Sequence, residues 1–460
     1  MKVLIFGIGN MYYRYKHYFE NMEIVGFVDN NPDTWGNYVD GICVYEPNLI
    51  RTLSFDYIFL VSVHYKSMRK QLVELGIDEK RIVDKENKQI FLANKQINTY
   101  WAQNSSNIKR NRVLLFSHVL NLSGAPIVFV RLAKILRKYG YDVIMYSEQN
   151  SLVNQQSLID ELLENEITIK LYDCFEEFEL EDIVEEFEFC IVNTLVLYDI
   201  VRKILKTKKK VFWWLHEMED VYAQLPEGIK LPYSNNLYVL SVGDLVKKAY
   251  EKNTGYSVYR NLLYGVPEIE IFTSKPRGSE KVCFALIGYY SERKGQEILF
   301  EAIKRNNSSW INYADFYFVG DFPDEKLVSY EVYENVFCTG ELSQKEIAHM
   351  YEKMDVLLCP SFHDPMPVVV TEAMQRGIFC LISNRVGQKT YIDEGINGLI
   401  CEADSVEDLT DKINWILDHK VQIREMGQRS YHIYADNFSM KSFEANVLDI
   451  FNIAHGETTL

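Results

Sequence analysis

The sequence predicts an α/β protein built from open parallel sheets, and three stretches carry that prediction. In 2–28, 113–147 and 355–383 a short apolar strand ends in a glycine- or proline-containing turn, passes into a helical run and returns to a second strand. In the last of these, Asp355 to Ser361 reads as a buried strand, Pro367 to Arg376 as a helix opened by proline and closed by Gly377, and Ile378 to Ser383 as the next strand. Ligands of such sheets sit beyond the carboxyl ends of the strands. The loop 361–366 is therefore placed at a site, with the following helix N-terminus aimed into it. Asp364 lies in that loop and Glu372 in the second helical turn, so two carboxylates face one ligand from different heights.

At 460 residues the chain has room for about three domains, and 47% hydrophobic with 25% charged residues is an ordinary globular balance. A net charge of -16 argues against a nucleic-acid binder, which would carry a dominant basic stripe. The cysteines at 43, 174, 190, 283, 338, 359, 380 and 401 form no C-x-x-C pair and read as small core residues of a reducing compartment. The opening M-K-V-L-I-F-G-I-G-N is too short for a secretory leader, and no run reaches the ~18 apolar residues of a membrane helix. The expectation is a cytoplasmic protein, with peripheral contact at the inner face of the membrane left open.

Taken in order, Lys2 to Phe6 is a strand, Gly7-Ile8-Gly9 a turn, Met11 to Asn21 a helix, and Glu23 to Val28 a strand ending at Asp29. This is the outline of a dinucleotide site, with Tyr13 standing where the third glycine should be. Strand Tyr57 to Val63 and helix Lys66 to Leu75 follow. The unit resembles small Rossmann-like domains that bacteria append to methyltransferases and glycosyltransferases, serving either as a docking module or as a nucleotide site. Residues 96–111 are polar and read as a linker. Strand Val113 to Val119, turn Asn121 to Pro126, helix Ile127 to Tyr139 and strand Asp142 to Ser147 then open a second unit. Acid-rich helix faces with one strand between them fill 160–188. A helix Val201 to Lys210 ends in the cluster Lys206, Lys208, Lys209 and Lys210, either a solvated helix end or a contact for an anionic surface. The strand V-F-W-W-L-H puts His216 at the mouth of the sheet. A linker spans about 268–280, and V-C-F-A-L-I-G-Y-Y-S-E-R-K-G opens the third unit at Val282.

The run D-P-M-P-V-V-V-T-E-A-M, with P-S before it and G-x-x-x-Y-I-D-E-G-I-N-G-L-I after, resembles the E-x-F-[GP]-x-x-x-x-E-A-M pattern of the family-4 retaining glycosyltransferases of the GT-B fold. Asp364 replaces the first glutamate and Glu372 keeps the second. The resemblance covers about 112–455. It implies two Rossmann-like domains facing across a cleft: an acceptor side at 112–270, a nucleotide-sugar donor domain at 271–437 and a C-terminal helix, 438–460, crossing back. The N-terminal Rossmann-like α/β domain, 1–95, is additional. G-Y-Y-S-E-R-K-G resembles the family's G-R-L-x-x-x-K-G, which makes Lys294 the lysine on the donor diphosphate, puts Tyr289 in the arginine position and offers Arg293 as a substitute charge.

The resemblance thus implies His216, Asp364 and Lys294 as catalytic residues. Glu372, Arg293, Gly124, Gly288, Pro365, Met366 and Glu341 are implied to bind the donor. Glu372 would hold the ribose, Asp364 and His216 the transferred sugar, and Glu341 the loop over the base. No D-x-D occurs, so no metal and no cofactor are expected. The partners implied are a nucleotide-sugar donor and a glycan, lipid-linked or protein acceptor of the bacterial envelope. The alternative is a degenerate glycosyltransferase that stabilises an active partner. An oxidoreductase built on the N-terminal turn is disfavoured by Tyr13.

Overall fold

The computed structural model describes residues 2–9, 12–13, 16–19, 22–62, 64–84, 98–100, 111–148, 156–172, 177–226, 229–269, 281–323, 330 and 332–454. Their strands assemble into three sheets. The first contains β1 (Lys2–Phe6), β2 (Glu23–Val28), β3 (Tyr38–Val39), β4 (Ile42–Tyr45), β5 (Tyr57–Leu60) and β6 (Ile82–Val83), ordered β3-β4-β2-β1-β5-β6. The second contains β7 (Asn98–Tyr100), β8 (Arg112–Ser117), β9 (Asp142–Glu148), β10 (Thr168–Tyr172), β11 (Phe189–Asn193), β12 (Lys210–Leu215), β13 (Leu237–Ser241) and β14 (Arg260–Asn261), ordered β14-β13-β12-β11-β8-β9-β10-β7. The third contains β15 (Val282–Ile287), β16 (Ala314–Val319), β17 (Val336–Cys338), β18 (Val356–Cys359), β19 (Phe379–Ser383) and β20 (Leu399–Cys401), ordered β17-β16-β15-β18-β19-β20.

In every sheet the first long strand is central and the chain reverses its direction of travel beside it, between β1 and β5, β8 and β11, and β15 and β18. Such a reversal splays the flanking loops apart and leaves a crevice at the carboxyl ends. The pairs at these points are parallel. Parallel strands covered on both faces are apolar throughout, as Val113–Phe116 shows by being fully buried.

Five helices matter for the site: α1 (Gly124–Lys138), α2 (Gln344–Lys353), α3 (Val368–Gln375), α4 (Lys420–Asn437) and α5 (Met440–Ala454). α5 leaves the third sheet and packs on the second. Phe451 stacks on Phe189 at 4.8 Å and meets Phe212 edge-on at 5.6 Å. Glu444 takes Lys138 at 2.8 Å and Asp449 pairs with Arg260. Each aromatic contact adds about 0.5–1.5 kcal/mol to the burial itself. One core is shared by the second sheet, α3 and a face of the third sheet; the first sheet has its own two small cores.

Four expectations change. The linker 96–111 contributes β7, an edge strand antiparallel to β10 through Ile169–Tyr100 and Leu171–Asn98. The rest of that linker, and residues 270–280 of the next, lie outside the described residues. S-G-A-P is not a turn before a helix: Gly124 to Pro126 form the first turn of α1, where proline costs no hydrogen bond. The helix expected to run to Lys210 covers only Tyr198–Ile204, because the Thr207 hydroxyl donates to the Ile204 carbonyl and accepts the Lys209 N–H, closing the helix before the lysines. Tyr13 does not crowd the first sheet, being 45% exposed; counted from Gly7, the place of the third glycine falls on Tyr12, whose buried ring fills the interior with its hydroxyl on Asp40.

Candidate active site

The crevice between β15 and β18 gathers residues far apart in the chain. After β15 the backbone passes Gly288, turns, and presents Lys294 so that its Nζ lies 2.6 Å from Asp364 Oδ2, in the loop after β18. Both side chains are largely enclosed. Arg293 stands 3.6 Å from the same carboxylate oxygen, donates to the His363 carbonyl and reaches the Tyr289 hydroxyl. Burial works against the Arg293 charge, yet Asp364, Tyr289 and, in the second unit, Asp220 together hold it above the ordinary guanidinium value. Two cations thus share one carboxylate, leaving net positive charge where an anion would sit. The Lys294 stem runs beside Gly288, at 3.6 Å from the place of a Cβ.

The loop carrying Asp364 is clamped from behind. Asp364 N–H donates to the Arg385 carbonyl and Gly387 N–H to the Asp364 carbonyl. A Cβ on Gly387 would come 1.7 Å from the Pro365 carbonyl oxygen, so only glycine allows this approach. Pro365 therefore acts through its backbone. Met366 is buried, with its methyl 2.5 Å from where a Cβ on Gly243 would stand, which makes it a packing contact between the second and third units. Pro367 caps α3, and one turn in, Glu372 accepts from the Tyr351 hydroxyl of α2 at 2.8 Å. A carboxylate has about four acceptor sites, so this bond leaves room for a further hydroxyl. Burial, then Glu372, pushes the Tyr351 phenol far up, and it stays a donor. Gly124 at the start of α1 faces α3, its Cβ position 3.9 Å from Val368. Glu341 is exposed in the turn after β17, beside Gly340, whose carbonyl accepts Gly320 N–H.

Facing this from the second sheet, the crevice between β8 and β11 holds a second cluster. His216 follows β12, its ring 4.7 Å from Trp214, its Nε2 enclosed and without a hydrogen-bond partner among the described residues. Burial, with His118 adding to it, pulls its pKa down to about 3, so the imidazole is neutral in the working range. Glu217 accepts the His216 N–H at 2.9 Å, and burial pushes its carboxyl up to about 7 against the pull of the backbone amides of His216 and Leu195. Thr194, at the end of β11, has φ 72°, a strained value for a β-branched residue, and its hydroxyl lies 3.4 Å from His118 Nδ1.

The structure therefore brings Lys294, Arg293, Asp364, Gly288 and Pro365 together, sets Glu372 one helical turn away and Gly124 opposite α3, and puts His216 at the crevice of the second sheet. Sequence reasoning missed His118, Thr194, Glu217, Tyr351 and Arg131. His118 follows its strand as His216 does, so the same strand-end argument would have found it. Arg131 on α1 donates to the Gly265 carbonyl; burial pulls its pKa down and the field of Glu372 resists that pull.

Comparisons with known proteins agree with this architecture. Residues 109–253 match the model of "Glycosyl-transferase family 4", residues 268–432 that of "Glycosyl transferases group 1", and residues 1–83 that of "C2185-like, N-terminal". The GDP-mannose-dependent alpha-mannosyltransferase of Corynebacterium glutamicum is 28% identical over 144 residues, 31% of this chain and 33% of that protein. Spore coat protein SA of Bacillus subtilis is 29% identical over 109 residues, 23% of this chain and 29% of that protein. The chain thus spans about a third of these curated relatives. Among solved structures, Anabaena HepE in complex with UDP and glucose superposes with TM-score 0.62 at 14% identity, covering 74% of this chain and 99% of that one. A glycosyltransferase from Rickettsia africae gives 0.64 at 16% identity, covering 75% and 99%. With two glycosyltransferase models tiling the second and third units, and that pair of units superposing on solved glycosyltransferases, the chain belongs to the family-4 glycosyltransferases of the GT-B fold and carries an additional N-terminal domain.

Proposed function

We propose that the protein transfers a glycosyl group from a nucleotide-sugar donor to a glycan, lipid-linked or protein acceptor of the bacterial envelope, with retention and without a metal ion. The observation that carries the reading is the pair of cations, Lys294 and Arg293, on the single carboxylate of Asp364 at the crevice of the third sheet. A departing nucleoside diphosphate concentrates negative charge, and fixed cations placed where charge develops are worth most. Glu372 binds the ribose, Asp364 and the neutral His216 line the sugar, and Glu341 lies by the base. The acceptor oxygen attacks the anomeric carbon from the face that the phosphate leaves. The C–O bond to phosphate breaks as the new one forms, and the acceptor proton goes to a phosphate oxygen. Solved relatives hold UDP and UDP-glucose, which supports a nucleotide-sugar donor here.

The test is release of free nucleoside diphosphate from UDP-, GDP-, dTDP- and CDP-sugars by the wild type, Glu372→Ala and Lys294→Ala. Turnover of one donor by the wild type and its loss in both variants is expected; variants as fast as the wild type would overturn the assignment. A second reading, a non-catalytic partner of an active enzyme, is favoured by one observation. Tyr289, in the arginine position, supplies no charge, and its side chain is 56% exposed. Nucleotide binding with no turnover of any donor would select it.

A further inference from the structure

Three buried side chains that no part of this mechanism uses meet at the junction of the second and third units. The Tyr264 hydroxyl, on the segment that leaves the second sheet, lies 2.9 Å from Thr371 Oγ1 in α3. Gln388 Nε2 reaches the Pro367 carbonyl at 2.8 Å, Thr371 Oγ1 at 3.1 Å and the Tyr264 hydroxyl at 3.3 Å. Each is at most 1% exposed. Farther along α3, Gln375 donates to the Pro267 carbonyl at 2.6 Å and to the Tyr434 hydroxyl at 2.8 Å, and Tyr434 donates to the Val266 carbonyl. The connecting segment Tyr264–Pro267 is thus bonded to one helix at two points 4 residues apart, about one turn. That helix carries Glu372 and begins at the loop of Asp364.

We propose that Tyr264, Thr371 and Gln388 are positioning residues that tie the hinge segment to the donor-facing turn, so that seating a nucleoside diphosphate at the turn also stiffens the hinge. The proposal rests on the donor-site reading above. The Gln388 amide has two N–H groups for three neighbouring acceptors, and its Oε1 is buried with no partner among the described residues, so few bonded arrangements exist and a shift of the Pro367 carbonyl must be answered at Tyr264 or leave a further group unpaired. Removing one hydroxyl breaks the tie at the first of the two points and leaves the Gln375–Pro267 bond at the second, so it loosens the hinge from the turn without removing a group that touches the donor.

Hydrogen exchange of the full chain, with and without saturating UDP or GDP, tests this. In the wild type, one of the two nucleotides is expected to slow exchange both in 360–376 and in 262–268, the latter about fivefold or more, the low end of a coupling between sites. In Tyr264→Phe and in the near-isosteric Thr371→Val, the same nucleotide should bind within about threefold of wild-type affinity and protect 360–376 as before but 262–268 less than in the wild type, since coupling and binding are separate free energies. Thr371→Ser, which keeps the hydroxyl, should restore protection at 262–268. Undiminished protection of 262–268 in both Tyr264→Phe and Thr371→Val would overturn the proposal while leaving the donor site standing. Failure of the wild type to bind either nucleotide would overturn the donor-site reading for these bases, and the proposal with it.

Discussion

After β1 the chain turns at Gly7, and after β15 it turns at Gly288; both turns open on the crevice of a doubly wound sheet. At the first, a Cβ on Gly7 would stand 2.6 Å from the Val61 carbonyl, so backbone fills the gap beside β5. The acid that ends the second strand, Asp29, takes the N–H groups of Ile8 and Asn31 and closes its own turn. At the second, the gap beside β18 is filled by the stem of Lys294, and its acid has two cations to share. The same topology becomes a structural knot in one sheet and a charged crevice in the other. Fold places the opening, and unspent charge decides whether it serves as a site.

This difference can be broken or sharpened by experiment. Lys294→Ala removes the closer cation and should cost about 10²- to 10³-fold in turnover, as loss of one fixed charge-stabilising group does; initial rates of nucleoside diphosphate release measure it. Gly387→Ala drives a methyl group into the Pro365 carbonyl, and should raise the donor KM on the order of tenfold by moving the Asp364 loop, a displacement of about 1 Å being enough. A KM equal to that of the wild type would mean that the clamp does not set donor position. Asp29→Ala should lower stability by about 1 kcal/mol, the worth of the hydrogen bonds lost, and leave turnover unchanged. Loss of turnover with an unchanged Tm would show that the N-terminal turn is a site after all.

A smaller effect concerns Glu217. Its carboxyl is raised to about 7 by burial, so between its unfolded value near 4.5 and about 7 the folded chain binds the extra proton. Stability then falls as pH rises through that window. Glu217→Gln lacks this loss, and its Tm should gain on that of the wild type between pH 5 and pH 8, values that bracket about 7. A constant Tm difference across that range would contradict the raised value.

The crevice of the third sheet was legible in part. Asp364 and Glu372 stand in a short pattern whose strand-end placement follows from local periodicity, whereas Lys294 was legible only through the resemblance of G-Y-Y-S-E-R-K-G to a family motif. The pairing of Lys294 with Asp364 was not legible, because it depends on β15 lying next to β18 rather than on any spacing along the chain. Tyr264 and Thr371, in different units, were invisible for the same reason. Misread segments have local causes: Asn98–Tyr100 is too polar and short to show alternation, and Thr207 ends a helix that its lysines would have continued. The first turn of α1 resembles loop in sequence because of its glycine and proline, residues that helix starts accept readily.

The chain crosses between the second and third units twice, once at Tyr264–Pro267 and again where α4 gives way to α5. The two crossings lie side by side: Val266 N–H donates to the Phe438 carbonyl at 2.8 Å, and Val266 pairs with Ser439. Gly265 lies under Met440 and Phe443, at 2.8 Å from where its Cβ would stand, so the crossings cannot slide past one another. A single tether is a swivel, whereas two fastened leaves form a door. Two fastened crossings confine any motion between the second and third units to a swing about the line on which they lie, in one register.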